Sequence, residues 1–572
     1  MIACVAQTLP RNSDVADQLE LLADLLELTG EASFRVIAYR RAAQRVRENA
    51  GSIAQLALDG RAKELPGIGK TIEEKIVQIV DTGEIEALTK RKAQVPPEVV
   101  EFLHLPGLGP KTAARLWHEL GLTTLADLKE AAEQQRLRAM PGLGARSEEK
   151  ILKALAEERT PAEARPLLGK GLPAVLAVVE ELRASPLVDQ VSEAGSVRRR
   201  RETFRDLDVI ATSSDPAALT AHFVSLPFVV EVVAHGDTKA TVISADGLRF
   251  DLRVVPPESY GNLLQHFTGS KDHNVALRER AVKDGLSVSE YSITVVETRE
   301  ELRYATEEEV YARLGYEWIP PELRENGGEL EAARRGELPV LVEQAEIKGD
   351  LHLHSDWSDG RATIEEMALA AIARGYGYMA ITDHSQRLRE GRLAAYDEEV
   401  ARLNDELAPF RILRGVEVNI RADGDLDMSA DELASRDWVV ASLHTSFDKS
   451  PTERVLAAME SPHVDCIGHL TARKINRRPP ADLDLEQVLE KAVETGTFLE
   501  INGQPDRLDL RDANARAAGE AGVPVLVSSD AHRPHELVYL DFALSQARRA
   551  WLTKAQVVNT RTWPQIEKLM KR

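Results

Sequence analysis

Gly195–Ser196–Val197–Arg198–Arg199, running on through Glu202–Thr203 to Asp206–Leu207–Asp208, sets a Gly-Ser pair and a run of arginines just ahead of two carboxylates. Val209, Ile210 and Ala211 continue an apolar run, which places Asp206 and Asp208 at the start of a strand. Side chains two apart on a strand share a face. Two carboxylates held that close repel each other unless a cation lies between them. A third candidate is Asp251, inside the strand-like run Leu248–Arg249–Phe250–Asp251–Leu252–Arg253–Val254–Val255. Three carboxylates on adjacent strands are what a pair of hard divalent ions needs to clamp a triphosphate and an attacking hydroxyl. Gly195 and Ser196 add backbone amides and a hydroxyl suited to phosphate oxygens. A lone Asp-x-Asp is commonly a solvated turn. The Gly-Ser pair, the arginines and Asp251 together point to nucleotidyl transfer.

The segments GSVRRRRETFRDLD, FDLRVV and GNLLQHFTGSKDHNVALRERA (Gly261 to Ala281) resemble the palm and thumb of bacterial family X DNA polymerases. The resemblance covers nearly the whole chain, because the remaining segments follow in that family's order. It implies Mg2+ or Mn2+ at Asp206, Asp208 and Asp251. It also implies that Arg199 neutralises triphosphate charge and that Arg249 steadies Asp251 and the primer terminus. Phe267–Thr268–Gly269–Ser270 is then a helix-interrupting turn, with Phe267 and Gly269 beside the incoming sugar. Asn274 and Arg278, one helical turn apart, would face the nucleotide base and the template minor groove. His266 stands where eukaryotic members carry tyrosine, which bears on discrimination against ribonucleotides.

A length of 572 residues predicts three or four domains. Hydrophobic content of 43% and charged content of 29% describe an ordinary globular protein. No apolar run approaches the roughly 20 residues of a membrane helix, and Met1 to Pro10 lacks the features of a signal peptide. Two cysteines, Cys4 and Cys466, exclude a disulfide framework and fit a reducing cytoplasm. The net charge of −21 argues against a nucleic-acid partner only if it is evenly spread. Residues 1–150 carry about 20 basic and 22 acidic side chains, so the acidic excess lies later in the chain. Local basic strips and salt-sensitive DNA binding are expected.

Residues 13–60 are helical by periodicity, with Leu19, Leu22, Leu25 and Leu26 on one face. Three related phrases follow: Leu65-Pro-Gly-Ile-Gly-Lys70, Leu105-Pro-Gly-Leu-Gly-Pro110 and Met140-Pro-Gly-Leu-Gly-Ala145. Each is a Gly-rich hairpin that opens a helix and exposes amides toward phosphate. This is the helix-hairpin-helix signature, which reads the DNA backbone rather than its sequence. Gly67, Gly69, Gly107, Gly109, Gly142 and Gly144 are the expected contact positions. The first module resembles the lyase domain of family X, and Lys75 falls where lyase-active members carry their Schiff-base lysine. Tyr39 and Arg40 match that pattern, while Arg35 and Thr71 replace lysines. Lys75 thus reads either as a lyase amine of lowered pKa or as a lysine on a DNA-binding helix.

Residues 321–347 are rich in Pro, Glu and Gly and read as a mobile linker, which predicts an open, elongated arrangement without DNA. Beyond it the chemistry changes. His352 and His354 lie two apart on a strand, with Asp359 after a loop. His384, Glu417, His444, His469, Asp530 and His532 each follow or end an apolar run. About seven such strands alternate with helical segments, and a parallel barrel collects its site at the C-terminal strand ends. Mixed imidazole and carboxylate ligation favours zinc, manganese or iron over magnesium alone. The pattern resembles the PHP (polymerase and histidinol phosphatase) family. That resemblance implies a distorted (β/α)7 barrel with three ions, Zn2+ or Mn2+, and Glu417 as the bridging carboxylate. The family's Gly-His-Pro is Gly468–His469–Leu470 here.

The expected architecture is multidomain: a helical lyase-like domain over 1–85, helix-hairpin-helix fingers over 86–160, and an α+β nucleotidyltransferase palm over 161–256. The thumb follows over 257–320, the linker over 321–347 and the PHP barrel over 348–572. The expected function is short-gap filling in DNA repair, coupled to a metal-dependent 3′–5′ exonuclease that also suits abasic-site cleavage. A barrel acting as a small-molecule phosphatase and a repair scaffold with an idle palm are the rivals. Gapped or nicked DNA and dNTPs are the expected partners, with other repair proteins possible, for a monomer in the cytoplasm at the nucleoid.

Overall fold

The computed structural model describes residues 9–571 apart from 32, 50, 66, 106, 107, 109, 141, 142, 145–147, 149, 150, 153, 154, 156–164, 389 and 390. It divides into two compact units, Met1–Ala164 and Arg165–Arg572.

In the first unit the apolar periodicity becomes helices Asn12–Leu28, Ser33–Glu48 and Ile53–Leu58. Val15, Leu19, Leu22 and Leu26 form the buried stripe of the first of these. The middle apolar residue of each hairpin, Ile68, Leu108 or Leu143, is buried in the same core. Gly67 adopts φ +89°, and a Cβ there or at Gly69 or Gly144 would meet open space. The glycines therefore answer to backbone conformation and to what approaches from outside, not to internal packing. Gly107, Gly109 and Gly142 lie outside the described residues. The first and third hairpins share a tether that the sequence reading missed. Four residues past the second glycine, buried Glu73 accepts from the Lys63 amide at 2.9 Å. Glu148 accepts from the Arg138 amide at 3.0 Å. The second copy has Ala113 there.

The palm sheet consists of β1 (Gln190–Glu193), β2 (Leu207–Thr212), β3 (Val229–Gly236), β4 (Lys239–Ser244) and β5 (Arg249–Val255), in the order β1-β2-β5-β4-β3. Only β2 and β5 pair in parallel. Alternation assigns the faces. Leu207, Val209 and Ala211, with Phe250, Leu252 and Val254, pack against helices Leu168–Arg183 and Pro216–Val224. The opposite face, which carries Asp208 and Asp251, receives helix Tyr260–Thr268 through Ile210, Val255, Leu263 and Leu264. The thumb adds helix Lys271–Lys283 and an antiparallel sheet of β6 (Leu286–Val288), β7 (Ile293–Val295) and β8 (Glu301–Leu302).

Residues 321–347 correct the expectation of a mobile linker. They contain helix Glu329–Arg335 and bury Leu323, Arg324, Leu330 and Ala333. Glu322 pairs with Arg548 at 2.7 Å, and Arg516 donates to the Gly327 carbonyl at 3.2 Å. Pro and Gly here start and stop short helical turns, and Glu322, Glu325 and Glu329 are paired instead of solvated. The segment thus packs within the unit that holds palm and barrel.

The barrel strands are β9 (Gly349–Leu353), β10 (Tyr378–Ile381), β11 (Arg411–Asn419), β12 (Trp438–Ser442), β13 (Cys466–Gly468), β14 (Phe498–Asn502) and β15 (Val525–Ser528). All pair in parallel in chain order. A bridge between Leu353 and Ala531 brings the last strand back to the first. Most are buried along their whole length, as covering a parallel sheet on both faces requires. Cys466 is one of these core residues. The barrel seats on the palm: Leu508 and Phe542 enter the palm core, and Arg473 pairs with Glu202. Among the described residues, no helix is long and apolar enough to cross a membrane.

Candidate functional site

Parallel pairing sets Asp208 directly beside Asp251, and Asp206 lies one residue ahead of β2. Burial, then the charges of Asp206 and Asp251, push the Asp208 carboxyl up to about 7. Three carboxylates crowded this way form a site for cations. Asp251 accepts from Thr241 on β4 and from Arg249 Nε at 3.0 Å. Gly195, at φ +65°, opens the one-turn helix Gly195–Arg198 that includes Ser196. A Cβ on Gly195 would stand 2.2 Å from Asp208 Oδ2, so the glycine is what lets this turn approach the carboxylate.

Arg199 is held on two sides: Nε donates to Glu325 at 3.0 Å and Nη1 to the Thr268 carbonyl. Phe267 lies under the Arg253 guanidinium, 4.4 Å from its ring centre, and Gly269 takes φ +69° just past the helix end. Asn274 is fixed by Gln265 at 2.9 Å and by the His266 carbonyl at 2.8 Å. Arg278 reaches His266 Nδ1 at 2.8 Å. The structure thus brings the predicted palm and thumb residues around one sheet face. In the first unit Lys75 is half-buried on helix Lys70–Thr82, and burial lowers its pKa despite Glu86 and Glu74. Arg35 pairs with Glu31 at 3.3 Å.

In the barrel all nine predicted residues meet at the C-terminal ends of the strands. Glu417 lies at their centre, with His384 Nδ1 at 2.9 Å and with His444 and His469 Nε2 at 3.2 Å. His352 and His354 lie 3.6 and 3.7 Å from it. Three overlapping groups have ligand atoms within 4.8 Å of one another. They are His354, Asp359, His384 and His532; His352, His354 and Asp530; and His384, Glu417 and His444. His352 Nε2, both ring nitrogens of His354, Glu417 Oε1 and His469 Nδ1 are buried without hydrogen-bond partners. Orphaned polar atoms of this kind are costly unless something binds them. The donor set fits divalent cations.

Sequence reasoning missed the groups that orient these ligands. Glu500 on β14 accepts from His352 Nδ1 at 2.6 Å, from Ser528, and from the His469 amide at 2.6 Å. A carboxylate on Nδ1 places the proton there and leaves Nε2 for a cation. Asn419 does the same for His444, and the Asp530 carbonyl does it for His532. The Glu500 contact also holds His469 at φ +27°, a conformation few non-glycine residues adopt. Asp383 binds the Ser355 amide at 2.8 Å and its hydroxyl at 2.5 Å, which fixes the loop after His354. Arg507 lies beside the cluster, 4.0 Å from Asp530, with Nη1 buried and unpartnered. None of these carries a local spacing signal; Glu500 is one of two polar residues in a short, otherwise apolar strand.

Comparison with known proteins matches four segments of the chain. Residues 10–85 match a helix-hairpin-helix domain, and 99–157 match a SAM-like helix-hairpin-helix tandem. Residues 263–325 match the DNA polymerase beta thumb, and 350–504 match the PHP domain. The DNA polymerase/3′–5′ exonuclease PolX of Bacillus subtilis is 40% identical over 98% of this chain and 99% of its own length. A probable phosphatase of Thermoanaerobacter sp. is 33% identical over 37% of this chain and 89% of its own length. A probable phosphatase of Syntrophotalea carbinolica is 31% identical over a similar share. Agreement along almost the entire length, through hairpins, palm, thumb and barrel alike, makes this chain a member of the bacterial family X DNA polymerases that carry a C-terminal PHP domain.

Proposed function

We propose that this protein fills short gaps in DNA through its palm and trims 3′ ends through its barrel, as a family X DNA polymerase joined to a 3′–5′ exonuclease. The observation that carries the reading is the coexistence in one chain of two separate clusters, Asp206, Asp208 and Asp251 in the palm and the Glu417-centred set in the barrel. Divalent cations, Mg2+ or Mn2+ in the palm and three Zn2+ or Mn2+ in the barrel, would supply charge neutralisation, alignment of a 3′-hydroxyl with the α-phosphorus, and activated water.

The chain's own residues do the rest. Asp251, anchored by Thr241, accepts the proton leaving the primer hydroxyl. Gly195 and Ser196 approach the triphosphate, and Arg199 offsets its charge. Phe267 and Gly269 face the sugar, Asn274 the base and Arg278 the template. In the barrel, Glu500 and Asn419 hold the imidazoles in the tautomer that exposes Nε2, and Arg507 takes a phosphate oxygen of the strand being cut. The hairpin glycines Gly67, Gly69, Gly107, Gly109, Gly142 and Gly144 receive DNA phosphates. The chain works as a monomer in the cytoplasm, on gapped or nicked DNA. The lowered pKa of Lys75 favours a lyase role in the same unit.

Relatives named as probable phosphatases cover only the barrel, so a small-molecule phosphatase is the competing assignment for that half. The test follows the primer on a one-nucleotide-gapped duplex with manganese in wild type, Asp208→Ala and His354→Ala. Loss of extension only in the first variant and of shortening only in the second supports two independent sites. Hydrolysis of histidinol phosphate in preference to a single-stranded oligonucleotide would favour the phosphatase. Retained gap binding with neither lengthening nor shortening would favour a scaffold.

A further inference from the structure

Arg199, the residue expected at the triphosphate, is built into a line of alternating charges that ends in the barrel. Its Nε donates to Glu325 Oε1 at 3.0 Å. The same oxygen accepts from Nη1 of Arg549 at 3.1 Å, and that nitrogen also donates to the backbone carbonyl of Arg199 at 2.7 Å. Arg549 in turn gives Nε and Nη2 to Asp512 at 2.9 and 2.6 Å. Arg549 ends helix Leu540–Arg549, and Asp512 begins helix Asp512–Ala521; both helices belong to the barrel. The Arg549 side chain is 2% exposed and that of Arg199 12%.

We infer that Glu325 and Arg549 are a positioning pair for Arg199, so that the barrel is a working part of the polymerase's nucleotide site. A free arginine side chain loses rotamer entropy on fixing a phosphate. Here that entropy is lost in advance, because Glu325 and the Thr268 carbonyl hold two edges of the guanidinium while Nη2 remains for an anion. Arg549 prevents Glu325 from closing on Arg199 alone. Glu325 Oε1 is shared with Arg549 and lies 4.0 Å from Arg201 as well, so this one carboxylate does not fully neutralise Arg199. Arg549 also pins the carbonyl at the base of Arg199, which fixes the end of the Gly195–Arg198 turn beside Asp208. None of the four residues is among the barrel's metal-site candidates. The pair should therefore act on nucleotide binding and leave strand trimming alone.

The inference rests on the proposed role of Arg199, and the test separates the two. Steady-state extension of a one-nucleotide gap gives KM for the dNTP and kcat, while shortening of a single-stranded oligonucleotide reports on the barrel. Glu325→Gln and Arg549→Gln are expected to raise the dNTP KM about 5- to 20-fold, with kcat within about threefold and exonuclease rate within about twofold of wild type. Arg549→Lys keeps the charge but not the two-sided geometry, and should fall between. Arg199→Gln should raise KM at least as far. A KM unchanged in Arg199→Gln overturns the assignment of Arg199 itself. A KM raised there but unchanged in Glu325→Gln overturns the positioning pair. Equal losses of extension and trimming would also overturn it, since a purely structural brace predicts that pattern. Should Arg549→Gln not fold, the isosteric Glu325→Gln decides the question alone.

Discussion

In the palm, Asp208 and Asp251 stand near the N-terminal ends of two neighbouring parallel strands, with Asp206, Arg199, Arg249 and Arg253 as charged neighbours. In the barrel, imidazoles outnumber carboxylates and come from the C-terminal ends of five of the seven strands. The palm offers oxygen alone, the ligand set of hard ions that exchange with each substrate. The barrel offers nitrogen and oxygen around one shared carboxylate, a set that retains transition metals. Their supports differ in the same sense. Arginine–carboxylate pairs brace the palm, and hydrogen bonds to ring nitrogens brace the barrel. The two sites should therefore fail to different insults.

The largest expected effect comes from one methyl group. Gly195→Ala puts a Cβ in steric conflict with Asp208 Oδ2, at a φ that disfavours a side chain. Displacing a metal-binding carboxylate by about an ångström is expected to cost extension 100-fold or more. Primer shortening should stay within twofold. A variant with near-normal extension would mean that the Gly195–Asp208 contact does not shape the working site.

Next comes Glu307, buried between Arg198 and Arg324 at 2.8 and 2.6 Å. Burial raises its pKa, but Arg324 and Arg198 outweigh that and hold the carboxyl down at about 2. Glu307→Gln leaves two cations under-compensated and is expected to destabilise the palm–thumb unit by about 3–5 kcal/mol. The sign of the pH dependence follows from the depressed pKa. The wild type's advantage is fully present above about pH 4.5 and is lost as pH falls toward 2. Thermal melts of both proteins from pH 7 downward should converge only at the acid end. Curves already converging at pH 6 would show that another group, such as a histidine, carries the linkage.

Glu500→Gln tests the barrel's form of support. Among the described residues, the hydrogen-bond partners of the Glu500 carboxylate are all donors: His352 Nδ1, Ser528, the His469 amide and Asn502. An amide NH2 placed among them loses at least one bond and frees His352 to take the wrong tautomer. Trimming and bound metal should fall about 10- to 100-fold, with gap filling unchanged. Full metal content in this variant would reduce Glu500 to a packing residue.

These residues show what the chain reveals without its fold. Asp206, Asp208 and Asp251, the three hairpins and the nine barrel residues were legible because each sits in a short motif or at a strand end with fixed spacing. Glu500, Asn419 and Arg507 act on residues from other strands, so no local spacing marks them. Glu325 and Arg549 are separated by more than 200 positions, and nothing in either neighbourhood announces the other. The error over 321–347 has the same origin. Composition registered Pro, Glu and Gly, whereas burial of Leu323, Arg324 and Leu330 depends on partners supplied by the thumb and the barrel. Local chemistry is readable from sequence, and mutual support between distant segments is not.

The smallest effect belongs to Arg249, and it sharpens the contrast between an open site and an enclosed one. Its side chain is 43% exposed, and it grips Asp251 from the solvent side at 3.0 Å. Its guanidinium donates to both carboxylate oxygens, so it competes with magnesium for them. An exposed pair of this kind contributes at most about 1 kcal/mol, which limits the competition to roughly fivefold. Arg249→Ala should therefore lower the half-saturating magnesium concentration for extension, by no more than that factor, and the effect should shrink in high salt. The metal dependence of trimming should not move, because the barrel cluster has no exposed arginine gripping its carboxylates among the described residues. An increase in the magnesium requirement would give Arg249 the opposite role. It would then steady the carboxylate or hold the primer terminus, and its pairing with Asp251 would be part of the assembled site instead of a rival to the metal.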